Sequence, residues 1–219
     1  MTFSLPFDPL YTALSIVVMS DLALLGAERP RLCIRLIAMQ GLLMGLMPLA
    51  AGKSGVNLYV LGVCAVFAVI KGMVLPWLLR RTLHRLPPLA APAPYVGHAA
   101  CVVLGIFGLT LSIWLGRRMG IAANPLFSEV FPAGMATMIA GILLMVTRRE
   151  ILSQMFGYLV MENGIFLLGS PMAEQSSLWL ELTVLLDILG AAFVMGIAVH
   201  HMSRAFDAVD ADHIASLRD

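Results

Sequence analysis

The apolar segments of this chain limit its possible folds more than any other feature. A helix needs about 20 mainly apolar residues to cross the hydrocarbon core of a bilayer. Only 12% of the 219 residues are charged, whereas a soluble domain carries roughly 25%. The sequence therefore predicts an all-α, polytopic membrane helix bundle with seven transmembrane spans, at about 10–27, 32–51, 56–79, 96–116, 129–147, 150–169 and 178–202.

A faint internal repeat divides these spans into two units. Sliding residues 29–85 by 119 positions lays the second and third spans over the sixth and seventh, and it places Arg29 on Arg148 and Gly45 on Gly164. This pattern predicts a parallel repeat of two three-helix units. We divide the chain into an N-terminal three-helix unit (1–86), a proline-rich loop with a linker helix (87–128), a second three-helix unit (129–203) and a short cytoplasmic tail (204–219).

The basic residues predict the orientation in the membrane. The loops on the C-terminal side and the tail contain nine arginines, while the opposite side contains three basic residues. Because basic residues favour the cytoplasmic side, we expect the N-terminus outside and the C-terminus in the cytoplasm of a bacterial or archaeal cell (inner) membrane. No basic segment precedes the first span and no A-x-A site follows it, so we expect this span to be retained.

The sixth span contains a carboxylic acid and an amide at membrane depth. Glu162 and Asn163 lie 13 and 14 residues after Arg149, which places them roughly 20 Å into the membrane. A charge at that depth costs about 2.5–3.5 kcal/mol on insertion scales, and such residues usually pair, bind an ion or relay a proton. Tyr158 lies one turn earlier on the same face, where it could hydrogen-bond the carboxyl group. A purely structural role in joining helices is the alternative.

Two further ionisable residues lie within spans. Asp187 is nine residues into the seventh span, and it could face Glu162 across the hairpin of the last two spans. With a water molecule between them, the two acids would form a minimal proton relay; a structural hydrogen bond is the alternative. Lys71 is too deep for easy snorkelling, so we expect Asp187 or Glu162 to oppose it in a functional or a structural ion pair. Asp21 is expected to be a structural residue near the cytoplasmic end of the first span.

The sequence shows no motif for a redox or hydrolytic centre. It contains no Walker loop, no G-x-G-x-x-G and no nucleophile elbow. Its three cysteines, Cys33, Cys64 and Cys101, have no metal-ligand spacing. The net charge of +1 gives no indication of a nucleic-acid partner. We therefore expect no catalytic residue, metal site or cofactor in this chain.

The motif around Glu162 resembles those of known membrane subunits. The last three spans resemble the K-type small subunit of respiratory complex I and the C-type subunit of multisubunit cation/proton antiporters, through Arg148-Arg149-x-Ile-Leu, Gly157 and Glu162-Asn163. A fuller resemblance, through Gly157-Tyr158-x-x-Met161-Glu162-Asn163-Gly164, an Asp in the last span and an extra N-terminal half, is to the hydrogenase-4 component E family. One departure concerns depth, because the K-type acids fall where Leu159 and Ala191 stand here.

The resemblance implies a non-catalytic subunit of a complex-I-related group 4 [NiFe]-hydrogenase or formate hydrogenlyase complex. The expected partners are large antiporter-like membrane subunits, a quinone-site-like membrane subunit, and the [NiFe]-hydrogenase and Fe–S subunits that would hold the Ni–Fe and Fe–S centres. Glu162 and Asp187 would then be relay acids in a proton-translocation path, with Lys71, Tyr158 and Asn163 beside them. The alternatives are a freestanding small secondary ion transporter and a structural scaffold subunit of a multisubunit antiporter.

Overall fold

The described part of the chain is entirely helical in its regular structure. The computed structural model describes residues 9–51, 58–85, 95–118 and 125–172, with residues 185, 188–190, 192 and 196. The four described ranges form seven α-helices, the π-helical turn Ile70–Val74 and the 3-10 turn Ser170–Met172; the α-helices are α1 Pro9–Gly26, α2 Pro30–Ala51, α3 Leu58–Val69, α4 Leu75–Arg85, α5 His98–Arg118, α6 Pro125–Thr147 and α7 Ile151–Gly169. The predicted all-α class is confirmed.

Four of the described helices are long and apolar enough to cross a membrane. They are α1, the Pro30–Met47 part of α2, α5, and the Phe127–Thr147 part of α6. The chain is therefore a membrane protein.

Three helices, α1, α2 and α6, begin at a proline. Proline suits the first helical position because its missing N–H would have no partner there and its φ angle is already helical.

The third span differs from the prediction of one regular helix over 56–79 followed by a loop. The chain stays helical to Arg85, and the π-helical turn Ile70–Val74 separates α3 from α4. In this turn the N–H of Leu75 donates to the carbonyl of Ile70. Pro76 follows at once and has no N–H, so the regular hydrogen-bond ladder is interrupted here in any case. Lys71 lies within this turn.

Close glycine contacts hold the helices together. On α7, a Cβ added at Gly157 would lie 2.6 Å from the carbonyl oxygen of Gly141 on α6, and one at Gly164 would lie 2.5 Å from the backbone nitrogen of Met138. Gly157 and Gly164 thus admit close packing of α7 on α6, as small residues do in membrane bundles. The α5 helix, expected to be a linker, packs against α1 and α6.

A polar layer divides the core of the bundle into two apolar parts. One apolar cluster includes Leu24, Ile34, Leu79 and Met155, and the other includes Leu14, Met44, Val130 and Phe166. Polar residues lie between them along α1, α2, α6 and α7, and Lys71 joins them from the π-helical turn. We call this set the polar layer, and it consists of Ser20, Asp21, Gln40, Lys71, Thr137, Glu162 and Asn163.

Candidate functional site

A buried ion pair lies at one end of the polar layer. The Nζ atom of Lys71 is 3.0 Å from Oε1 of Glu162, and the two residues are only 4% and 1% exposed. The pair joins the π-helical turn to α7 across 91 residues of sequence. A buried charge is costly unless it is paired and hydrogen-bonded. The structure therefore provides Lys71 with one of the two carboxylates that the sequence predicted to oppose it.

Two contacts place the Lys71 ammonium at this position. A Cβ added at Gly41 would lie 2.5 Å from the carbonyl oxygen of Lys71 and 2.9 Å from its Cβ. Glycine thus lets α2 pack directly on the π-helical turn. The ammonium also lies 5.5 Å from the ring centroid of Phe166, within the range of a cation–π contact. Because Phe166 is one turn after Glu162 on α7, both contacts direct Lys71 to the same helix face.

Asn163 links the ion pair to α2. Its Oδ1 atom accepts a hydrogen bond from Lys71 Nζ at 3.3 Å, and its Nδ2 atom donates to Gln40 Oε1 at 3.4 Å. Glu162 and Asn163 are adjacent on α7, so their side chains leave the helix in directions about 100° apart. One therefore contacts the π-helical turn while the other also reaches α2.

Asp21 lies at the other end of the polar layer. Its Oδ1 atom accepts a hydrogen bond from Gln40 Nε2 at 2.7 Å, and its Oδ2 atom accepts one from the hydroxyl of Thr137 at 2.7 Å. Gln40 Nε2 also donates to Ser20 Oγ at 2.7 Å. The sequence indicated only a structural residue near a helix end. Asp21 is 2% exposed and is hydrogen-bonded to two other helices.

A small cavity adjoins the ion pair. Its volume is about 10 Å³, and its lining includes Lys71, Glu162, Asn163 and Gly41. This is close to the minimum volume that one buried water molecule needs, and the lining offers the polar partners that such a water requires. The cavity is therefore too small for an organic ligand and has room for about one water molecule.

The other predicted relay residues have different outcomes. Tyr158 lies one turn before Glu162 on α7 and is half-buried. A Cβ added at Gly190 would lie 2.6 Å from Glu162 Oε2 and 3.1 Å from Tyr158 Cε1, so the chain at Gly190 packs against this face of α7. Asp187 lies outside the described residues, and its place beside Glu162 stays a prediction.

Sequence reasoning missed Gln40, Thr137 and Ser20. Gln40 is fully buried in α2 between Ile37 and Met44, which belong to opposite apolar clusters. An amide in the middle of an apolar span was the available signal. Among the described residues, no group of three or more His, Cys, Asp or Glu side chains could hold a metal ion.

Comparisons with known proteins found several similar chains. The chain is 27% identical over 204 residues to the uncharacterized protein Rv0085 of Mycobacterium tuberculosis, covering 93% of each chain. It is 21% identical over 150 residues to hydrogenase-4 component E of Escherichia coli, covering 68% of this chain and 69% of that protein, and the same figures hold for the protein of that name from Shigella flexneri. No family model matches the chain, and no solved structure does.

Proposed function

We propose that this chain is a membrane subunit of a complex-I-related hydrogenase complex, in which the Lys71–Glu162 pair takes part in proton translocation. The similarity to hydrogenase-4 component E supports the assignment to such a complex. The single observation that supports the role in proton transfer is the buried 3.0 Å contact between the Lys71 ammonium and the Glu162 carboxylate. In this proposal the Ni–Fe and Fe–S centres belong to partner subunits, and this chain is not itself catalytic.

The chemistry of the pair suits proton exchange. When Glu162 is ionised, its charge is compensated by Lys71. When Glu162 takes up a proton, the ammonium loses that compensation and depends on Asn163 and the rest of the polar layer. The charge of Glu162 therefore affects the other buried groups, and a field change in a neighbouring subunit would shift this balance. Moving one charge across 100 mV involves about 2.3 kcal/mol, which is enough to alter the occupancy of such a site.

The proposal includes the position in the cell and the neighbours expected from the resemblance. The chain would lie in the cell inner membrane with its N-terminus outside and its C-terminus in the cytoplasm. Large antiporter-like subunits and a quinone-site-like subunit would surround it, and Asp187 and Tyr158 would belong to the same proton path. The exposed apolar side chains of α5, such as Val103, Phe107 and Trp114, are suited to lipid or to such membrane neighbours.

The assembly is tested by purifying the tagged chain from its native membranes in mild detergent and identifying bound proteins by mass spectrometry. We expect antiporter-like subunits together with a [NiFe] or Fe–S module. Recovery of the well-folded chain alone would contradict the subunit assignment and would favour the freestanding transporter, which should move ions when reconstituted by itself.

The proton role is tested by Glu162→Gln in the assembled complex. Inverted membrane vesicles are supplied with the reductant of the co-purified redox module, and proton uptake is followed with a pH-sensitive dye while electron transfer is measured in parallel. We expect proton uptake per electron to fall at least several-fold, because glutamine keeps the shape of the residue but cannot bind the proton. The control is Glu28→Gln, since the Glu28 carboxylate is exposed to solvent. Unchanged uptake in an intact complex would leave only the scaffold role.

A further inference from the structure

The second buried carboxylate of the polar layer, Asp21, has no part in the function proposed above. It belongs to α1, yet its two oxygens accept hydrogen bonds from Gln40 on α2 and Thr137 on α6. A carboxylate this deeply buried is expensive to keep as an isolated charge. Both of these hydrogen bonds come from neutral groups, so an ionised Asp21 needs another source of charge compensation.

The amides of Gln40 and Asn163 connect Asp21 to that source. Lys71 Nζ donates to Asn163 Oδ1, Asn163 Nδ2 donates to Gln40 Oε1, and Gln40 Nε2 donates to Asp21 Oδ1. Every donor in this series points from the ammonium towards the carboxylate. Hydrogen bonds aligned in this way polarise one another in a medium of low dielectric constant. Lys71 therefore polarises the two amides in the direction that stabilises a negative charge on Asp21.

The polar layer contains two carboxyl groups and one ammonium among its described residues. With both acids ionised, the three groups would carry one excess negative charge inside an apolar bundle. An uncompensated buried charge of this kind costs several kcal/mol. One proton bound to either acid removes the excess.

We propose that Asp21 and Glu162 share one proton, and that Lys71 compensates whichever of the two acids is ionised, directly for Glu162 and through Asn163 and Gln40 for Asp21. Asp21 is thus a second proton-binding site of the bundle. The use of this proton in transport rests on the proposed function, but its binding by the two acids does not.

The exchange between the two states balances in protons and charge. In one state Glu162 is ionised and paired with Lys71, and Asp21 holds the proton on a carboxyl oxygen. When a proton from outside the layer binds Glu162, Lys71 no longer has to balance the charge of Glu162 and can balance that of Asp21. Asp21 then releases its own proton to its surroundings. One proton enters and one leaves, and the three groups keep a net charge of zero. No proton crosses Gln40 or Asn163, because amides do not ionise in this range.

The test is infrared spectroscopy of the full-length chain, with any bound partners, extracted from native membranes into lipid nanodiscs at neutral pH. The C=O stretching band of protonated carboxyls is compared with wild type in three isosteric variants: Asp21→Asn, Glu162→Gln and the double variant. We expect each single variant to lose one protonated carboxyl, because the remaining acid then ionises against Lys71. We expect the double variant to lose one as well, and not two.

Every other pattern overturns the proposal. Loss in only one single variant would mean that one acid holds its proton independently of the other. Loss of two in the double variant would mean that both acids are protonated, and no loss in any variant would mean that neither is. Because this measurement needs no transport, a negative result here is distinct from unchanged proton uptake in Glu162→Gln vesicles, which would refute the proposed function instead.

A second pair of variants tests the amide bridge without altering Asp21. In the Glu162→Gln background, Asn163→Leu interrupts the connection between Lys71 and Gln40 but leaves the hydrogen bond from Gln40 to Asp21 in place, so Asp21 should keep its proton and the lost band should return. The control is Gln154→Leu in the same background, which replaces an amide with leucine on the exposed side of α7 and should leave the band absent. A band that stays absent with Asn163→Leu would contradict the bridge, even if Asp21→Asn did not fold.

Discussion

The Lys71–Glu162 pair should show strong energetic coupling in a double-mutant cycle. At the observed 3.0 Å, the attraction between unit charges is about 5 kcal/mol for an effective dielectric constant near 20. Much of this is offset by the cost of burying both charges, but Lys71→Met leaves Glu162 without its counter-charge, at a cost of about 3–5 kcal/mol. We therefore expect Lys71→Met to lower the free energy of unfolding by that amount, and Glu162→Gln by somewhat less, because glutamine still accepts a hydrogen bond from Lys71.

The double variant Lys71→Met/Glu162→Gln should be about 2–3 kcal/mol more stable than the sum of the single effects. Reversible unfolding in mixed lipid–detergent micelles titrated with SDS, followed by tryptophan fluorescence, gives the four free energies of the cycle. The exposed residues Arg117 and Glu28 provide the controls Arg117→Met and Glu28→Gln, which should stay within about 0.5 kcal/mol of wild type. Additive single effects would refute the reasoning, because they would show that the two charges do not stabilise each other.

Two further predictions concern the backbone around the polar layer, and both are measured by the same unfolding titration. Gly41→Ala should destabilise the chain by about 1–3 kcal/mol, because the added Cβ would press on the carbonyl of Lys71. The control Gly62→Ala should have no such cost, because a Cβ there meets nothing within 4 Å. Equal effects would show that the close approach of α2 to the π-helical turn is not needed. Arg148→Met should cost about 1.5–3 kcal/mol, because the buried Arg148 guanidinium donates to the carbonyls of Leu24 and Leu25 at the end of α1. Arg149→Met, at an exposed position, should cost at least 1 kcal/mol less, and a larger loss there would contradict this account.

Sequence analysis predicted the helices better than the interruption within them. Apolar runs fix where most helices lie, so α1, α2, α5, α6 and α7 begin and end within a few residues of the predicted spans. The π-helical turn Ile70–Val74 was missed, although Pro76 was visible, because a proline shows that the ladder is broken without showing how the chain rearranges around it. The placement of Lys71 depends on that rearrangement and on the close approach of Gly41.

The candidate site was predicted only where charge identified it. Lys71 and Glu162 are ionisable residues in apolar spans, so a pairing between them could be anticipated without knowing the fold. Gln40 and Thr137 are neutral, and their roles depend on contacts with Asp21 that span 19 and 116 residues of sequence. Such contacts follow from how α1, α2 and α6 pack, which periodicity within one helix does not show.

The composition of the polar layer limits which of its residues can bind or transfer a proton. Buried hydrogen-bond networks can serve helix association alone, and this layer joins α1, α2, α6 and α7 through hydrogen bonds. A scaffold, however, would need only neutral partners, whereas this layer places two acids and one ammonium at its ends. The amides of Gln40 and Asn163 between them pass on polarisation but no proton. In the proposed exchange, the proton that binds at Glu162 and the proton that leaves Asp21 are therefore different protons, and the layer would couple them through the charge of Lys71.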